Sequence, residues 1–313
     1  MTHYEIYITF LILGCLTFSC SNGENGSAKE QATSVMAANK QESSPFTDFW
    51  NQGKAEITTY DLMQARYGEL HEGIANSIFV TEPFSKSKHV KLDYPSKSGN
   101  DLVPAMKLNF TRKFYTGVYP YSTMLSVFTP QDLKKNPHSL KAVFGAQEWC
   151  GQTYTQLDLT AGGFEMEQYS YFESEGDKRV KLQKAILEDE LWNIIRINPE
   201  NLPVGKVNMI PGLTFSRLGH VEPDAVMAEA KLTKNGKMTT YSIHYPQHER
   251  TLSIDFKTAF PHEIESWQEK GYSGFGSSRK ILTTTATMKS RKMLDYWSKH
   301  SLQDASLRAD LGL

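Results

Sequence analysis

The stretch Phe144-Gly-Ala-Gln-Glu-Trp-Cys-Gly-Gln-Thr-Tyr-Thr-Gln-Leu157 decides the fold class, because it reads as extended chain with strand-like patterns on both sides. Taken as one run, it puts Phe144, Ala146, Glu148, Cys150, Gln152 and Tyr154 on one face and Val143, Gly145, Gln147, Trp149, Gly151 and Thr153 on the other. Neither face is cleanly apolar. Gly145 and Gly151 are residues that mark bulges or close backbone approach, so the register can slip within the run. Its aromatic residues either line a pocket or fill the core of a curved sheet.

Working outward, residues 54–62 and 73–82 form an expected hairpin joined by 67–73, followed by strands at 103–114 and 121–128. After the central run, a glycine-bearing turn at 161–163 returns the chain through 164–173. Beyond residue 200, strand patterns occupy 207–218, 225–234, 237–245, 251–258 and 281–289, with Asn235-Gly236 suited to a type I′ turn. The period changes once, over 181–197. There Leu182, Ile186, Leu187, Glu190, Leu191 and Ile194 share one side of an expected helix, Glu188 and Asp189 point outward, and Pro199 and Pro203 end it. Such a helix would plug or cap a curved sheet. A short helix is expected at 291–299 and a frayed tail over 301–313. The fold class is mainly β, a curved antiparallel sheet or partly open β-barrel, in a single domain spanning 45–300.

The N-terminus carries an apolar run, Tyr4 to Ser19, too short and too close to the terminus for a membrane span, followed by Cys20-Ser-Asn-Gly-Glu-Asn-Gly. Ser19 before Cys20 has the form of a bacterial lipoprotein processing site. The n-region lacks Lys and Arg, and Ile12-Leu-Gly-Cys15 is a competing match, but Cys15 would leave a very short apolar segment. The reading is a signal peptide over 1–19, lipidation at Cys20 and a polar tether over 20–44. The expected compartment is the cell envelope, with the protein lipid-anchored at the outer membrane. Cleavage there leaves Cys150 as the remaining thiol, with no partner for an intramolecular disulfide. A lone cysteine in a strand pattern is expected to be a small buried hydrophobe.

The 34 basic and 35 acidic residues, net charge -1, exclude the basic footprint of a nucleic-acid binder. His244, His248 and Glu249 lie close together but are split by Pro246 and lack helical ligand spacing. Gly274-Phe-Gly-Ser-Ser-Arg-Lys280 lacks the spacing and the strand-loop-helix setting of a phosphate loop, and reads as a β-connection. Glu148, Glu165 and Glu167 on neighbouring strands could pair as acid and base, or simply be solvated. No catalytic residue, metal or cofactor is assigned. The positive feature is aromatic density in the middle of the chain, and Trp149, Tyr154, Phe144 and Tyr121 are the candidate pocket for an apolar ligand.

Phe49-Trp-Asn-Gln-Gly-Lys-Ala-Glu-Ile-Thr-Thr-Tyr60, Gln64-Ala-Arg-Tyr-Gly-Glu69, Ile78-Phe-Val-Thr-Glu82, Gly117-Val-Tyr-Pro-Tyr-Ser122 and Gln147-Glu-Trp-Cys-Gly-Gln152 resemble a lipoprotein family of Bacteroidota. Its members often carry the label septum formation inhibitor Maf. The Ser-x-Ser-Pro-Arg-Arg motif of the cytosolic Maf nucleotide pyrophosphatases does not occur here, so that activity is not expected and no catalytic residue carries over. The resemblance implies a lipid-anchored envelope protein. From the residues, the first expectation is a non-enzymatic domain that binds or carries an apolar ligand. The alternatives are a structural or assembly factor that contacts envelope proteins through edge strands, and an envelope hydrolase.

Overall fold

The computed structural model describes residues 44–313. The signal peptide, Cys15, Cys20 and all of the tether except Ser44 lie outside the described residues.

A short helix, α1 (Pro45–Trp50), opens the fold, with Ser44 as its N-cap accepting a hydrogen bond from the Thr47 amide. There follow β1 (Ala55–Arg66), β2 (Glu69–Ser85), β3 (Val90–Lys91), β4 (Leu102–Thr116), β5 (Tyr119–Pro130), β6 (Lys141–Glu148), β7 (Gly151–Thr160), β8 (Gly163–Ser170) and β9 (Lys178–Leu182). The chain then forms β10 (Ile186–Leu187), α2 (Leu191–Ile197), β11 (Gly205–Ile210), α3 (Leu213–Gly219), β12 (Val226–Asn235) and β13 (Met238–Tyr245). The last elements are β14 (Arg250–Lys257), β15 (Ile264–Ser273), β16 (Lys280–Leu294) and α4 (Leu307–Asp310).

These strands make one sheet in the order β10-β11-β12-β13-β14-β15-β16-β1-β2-β4-β5-β6-β7-β8-β9, with β3 paired to β2. Pairing is antiparallel except between β10 and β11. The expectation of a mainly β, curved antiparallel sheet holds. The sheet does not close into a barrel, yet its two edges are successive in the chain. From Leu182, the end of β9, to Ile186, the start of β10, is four residue steps, a reach of at most about 14 Å. The sheet therefore curls until its edges nearly meet.

Inside the curl run residues 188–197, a single 3-10 turn leading into α2. Residues 188–196 of this segment are buried, Leu191, Trp192, Ile194 and Ile195 among the core and Glu188, Glu190, Asn193 and Arg196 with them. Each polar side chain is bonded to a different part of the wall. Arg196 holds Glu56 of β1 through two bonds of 2.5 and 2.6 Å. Glu188 accepts two from Arg250 of β14, at 2.5 and 2.7 Å. Glu190 accepts from the Ser139 amide in the β5–β6 loop. Asn193 donates to the carbonyls of Met106 and Val127 and to the Thr129 hydroxyl. The segment is a plug fixed in register to its surroundings.

Several expectations are corrected. The helix expected over 181–197 is confined to 191–197 with its 3-10 lead-in, and Glu188 and Asp189 point inward as ion-pair and cap acceptors. Residues 207–218 divide into β11 and α3, and β15 was not anticipated. The helix expected at 291–299 is instead the end of β16 and one 3-10 turn, 296–298. Residues 302–311, expected to fray, fold into a 3-10 turn and α4, and the Leu311 carbonyl accepts from Thr59 and Ser290. The two-residue turn near Asn235 is Gly236-Lys237, with positive φ at Gly236 only; the paired positive φ of a type I′ turn falls at Tyr67-Gly68.

The plug generates a prediction. Arg196→Met leaves Glu56 buried with a longer contact to Arg291, at 3.7 Å, and a weak bond from the Thr58 hydroxyl, at 3.5 Å, and should cost about 3–5 kcal/mol in urea unfolding. The double variant Glu56→Leu/Arg196→Met should recover most of that loss. A single variant within about 1 kcal/mol of wild type would contradict the anchoring role.

Candidate functional site

Alternation puts even-numbered residues of β1 on the concave side: Tyr60, Leu62, Gln64 and Arg66, all buried. In β4 the same face carries Phe110, Arg112 and Phe114, and in β15 it carries Trp267, Glu269 and Gly271. The hairpins β1–β2, β4–β5, β6–β7 and β15–β16 all turn at one end of the sheet, which forms a rim. α3 enters the concave space at this rim. Its first amide, Leu213 N–H, is accepted by Asp189 at 3.0 Å, so the plug also sets the position of α3.

Between α3 and the β15–β16–β1 wall lies a cavity of about 380 Å³. Gln64, Arg66, Arg112, Arg250, Glu269 and Thr284 line it together with Phe215, Leu218, Gly271, Phe275 and Leu282. The lip is held by close backbone approach. A Cβ at Gly68 or Gly274 would sit 2.4 or 2.6 Å from the Ser278 carbonyl oxygen, and both residues have positive φ, so the two hairpin tips touch only because both are glycine.

The electrostatics of the cavity are unevenly satisfied. Arg250 donates Nε to Glu269 at 2.6 Å and its two Nη groups to Glu188, which hold it firmly protonated against the effect of burial. Burial raises the Glu269 carboxyl, but Arg250 and Arg112 outweigh it and hold the group below its ordinary range. Arg112 is less well matched: it lies 3.8 Å from Glu269 and donates to Gln64 at 3.3 Å, and burial lowers its pKa. Arg66 has no carboxylate partner among the described residues. One Nη donates to the Leu218 carbonyl, the other lies 3.5 Å from the Tyr67 hydroxyl, and Nε has no hydrogen-bond partner. His248 at the opening has its pKa lowered by burial and by Arg250.

The four residues expected to form a pocket do not share one. Trp149 and Cys150 form the two-residue tip of the β6–β7 hairpin, so the central run is two antiparallel strands rather than one. That turn reverses the facing of Tyr154 relative to Phe144. Phe144 is core, and Tyr121 is buried, stacked 4.8 Å from Phe114 and bonded to the Tyr67 hydroxyl. Trp149 is 69% exposed at the rim. Tyr154 lies on the convex face, where it lines a shallow groove of about 690 Å³ with Met124, Tyr169 and Tyr171. Cys150, expected to be buried, is exposed. Glu148 faces inward and pairs with Arg217 at 2.6 Å, whereas Glu165 and Glu167 face out, so the three carboxylates do not meet.

The cavity residues were missed, although Phe110-x-Arg112-x-Phe114 carried a signal. A charge between two large aromatics on one strand face belongs to the buried side. His248 was weighed as a metal ligand, whereas it stands at the cavity mouth.

No family model matches the chain, and no curated protein matches it. It is similar to a porin-like protein from Bacteroides uniformis ATCC 8492 at 8% identity, covering 77% of this chain and 97% of that one, with a TM-score of 0.22. A likeness at that score carries no argument.

Asp189 makes the α3 attachment pH-sensitive. Burial, opposed by the Leu213 amide, raises its carboxyl from 3.8 to about 7. With the folded pKa above the unfolded one, its contribution is complete below about pH 4 and lost as pH rises through about 7, up to about 4 kcal/mol. Asp189→Asn keeps the acceptor for Leu213 and should gain on wild type progressively in urea unfolding between about pH 4 and 7.5. Parallel stability curves for the two proteins would contradict this.

Proposed function

We propose that this protein is a lipid-anchored envelope protein whose curled sheet binds a small molecule in the cavity between α3 and the β15–β16–β1 wall. The observation that carries the reading is that cavity: about 380 Å³, held at its lip by two glycine tips, and walled by both apolar and charged side chains. The charged wall shifts the expected ligand from a wholly apolar molecule to one with a polar end. The anchor rests on the Cys20 processing site and on the resemblance to Bacteroidota lipoproteins. Cys20→Ser should move the protein from the membrane fraction to the soluble one. An unchanged distribution would remove the anchor from the proposal.

A second reading, an assembly factor, draws on Tyr115, Val118, Trp149 and Tyr171, which are large, exposed and near the same rim. It differs from the first by its test: a photo-crosslinker at Trp149 would then capture one reproducible envelope protein.

The cavity reading makes a sharper prediction. A Cβ at Gly271 would lie 3.6 Å from the Arg250 Cγ, an ordinary contact, and Gly271 lines the cavity. Gly271→Leu should fill the cavity, leave the melting temperature unchanged or raised, and abolish the small molecule found by mass spectrometry of extracts of the natively purified wild type. The same molecule retained at equal stoichiometry in the variant would place binding elsewhere.

A further inference from the structure

Among the described residues, three arginines turned to the interior are neutralised by close carboxylates. Arg196 has Glu56, Arg250 has Glu188 and Glu269, and Arg217, held inside at the rim, has Glu148 and Glu175. This is expected, because an uncompensated buried guanidinium is strongly unfavourable. Arg66 breaks the pattern. It is 6% exposed, lines the cavity, and has no carboxylate partner among the described residues. Its Nε–H is buried without an acceptor. The rings of Tyr67, Tyr121 and Phe275 lie 4.4, 5.5 and 6.0 Å from its guanidinium carbon, which steadies the charge but supplies no acceptor for Nε–H.

Arg112 lines the same cavity and is only partly matched, with Glu269 at 3.8 Å shared with Arg250 at 2.6 Å. Gln64, two residues before Arg66 on the inner face of β1, holds Arg112: its Oε1 accepts from Arg112 and its Nε2 donates to Thr284. The wall thus offers one guanidinium without a carboxylate and one underpaired guanidinium held by Gln64. Phe215, Leu218 and Leu282 give the cavity an apolar side.

We infer that Arg66, supported by Arg112, is the seat of an oxyanion, the carboxylate or phosphate of the molecule the cavity holds. This rests on the proposed cavity reading and names the chemical class of its ligand. The Nη groups of Arg66 keep donors beyond those aimed at the Leu218 carbonyl and the Tyr67 hydroxyl, and a guanidinium so placed binds such a group through charge-assisted hydrogen bonds, the ligand supplying the carboxylate that the pattern lacks. Two sources share that chemistry, a free small anion and the acidic head of an amphiphile whose chain lies against the apolar side.

The test is isothermal titration of the purified protein, in chloride-free buffer, with inorganic phosphate, octyl phosphate, octanoate and 1-octanol. Octyl phosphate or octanoate should bind wild type, and Arg66→Gln should weaken them about 10- to 100-fold, the value of charge-assisted hydrogen bonds. The empty Arg66→Gln protein should melt no lower than wild type, since it loses an unpaired buried charge. Phosphate binding as tightly as octyl phosphate would support the seat with a free anion as its source; tighter octyl phosphate would support it with an amphiphile. If 1-octanol binds wild type and Arg66→Gln alike and the anions gain nothing from Arg66, the seat is overturned while the cavity reading stands. No anionic probe binding to wild type overturns the seat as well. Arg66→Gln melting well below wild type with unchanged anion affinity would show a structural arginine.

Discussion

The bidentate pair of Arg196 with Glu56, repeated between Glu188 and Arg250, is the constraint on which the rest of the structure depends. A sheet that curls without closing has an interior it must fill, and apolar packing alone leaves a plug free to slide or rotate. Charges buried at both ends of residues 188–196 cannot move without being separated, which is far costlier than a shift among leucines. Asn193 and Glu190 fix the same segment against β4, β5 and the β5–β6 loop. Curl, plug and wall therefore hold one relative position.

The consequence at the rim follows through Asp189. It caps α3 from within the plug, so the short helix that walls the cavity takes its place from the same buried network. α3 then divides the rim space. On one side Arg217 is tied to Glu148 and Glu175, and on the other lies the cavity with Arg66. Both sides present arginine to the interior, but Arg217 has its acids built in and Arg66 has none among the described residues. On the proposed reading, that difference separates a structural contact from a binding site.

How much of this was legible in the sequence depends on what each signal measures. Alternation and turn residues report on neighbours in the chain, and they located most strands, from β4 and β5 to β12 and β13. They are misleading over 181–197, because a helix buried on every side has no polar face, and the period turns Glu188 and Asp189 to solvent whereas they pair with Arg250 and with the Leu213 amide. The pocket expected at Trp149, Tyr154, Phe144 and Tyr121 failed for a similar reason. The two-residue turn at Trp149-Cys150 inverts facing along the run, and nothing local announces it, as neither residue needs positive φ. Arg66 is invisible as a site in the sequence, since its distinction is the absence of an acid that β1, β15 and α3 could have supplied.

The measurement that bears most directly on the account is a crystal structure of the protein purified from its own envelope without added ligand. The account predicts electron density for a small molecule bounded by Arg66, Phe215 and Leu282, with an oxyanion group at the Arg66 guanidinium. A cavity collapsed on itself, with Arg66 turned to pair with Glu269 or another protein carboxylate, would contradict it.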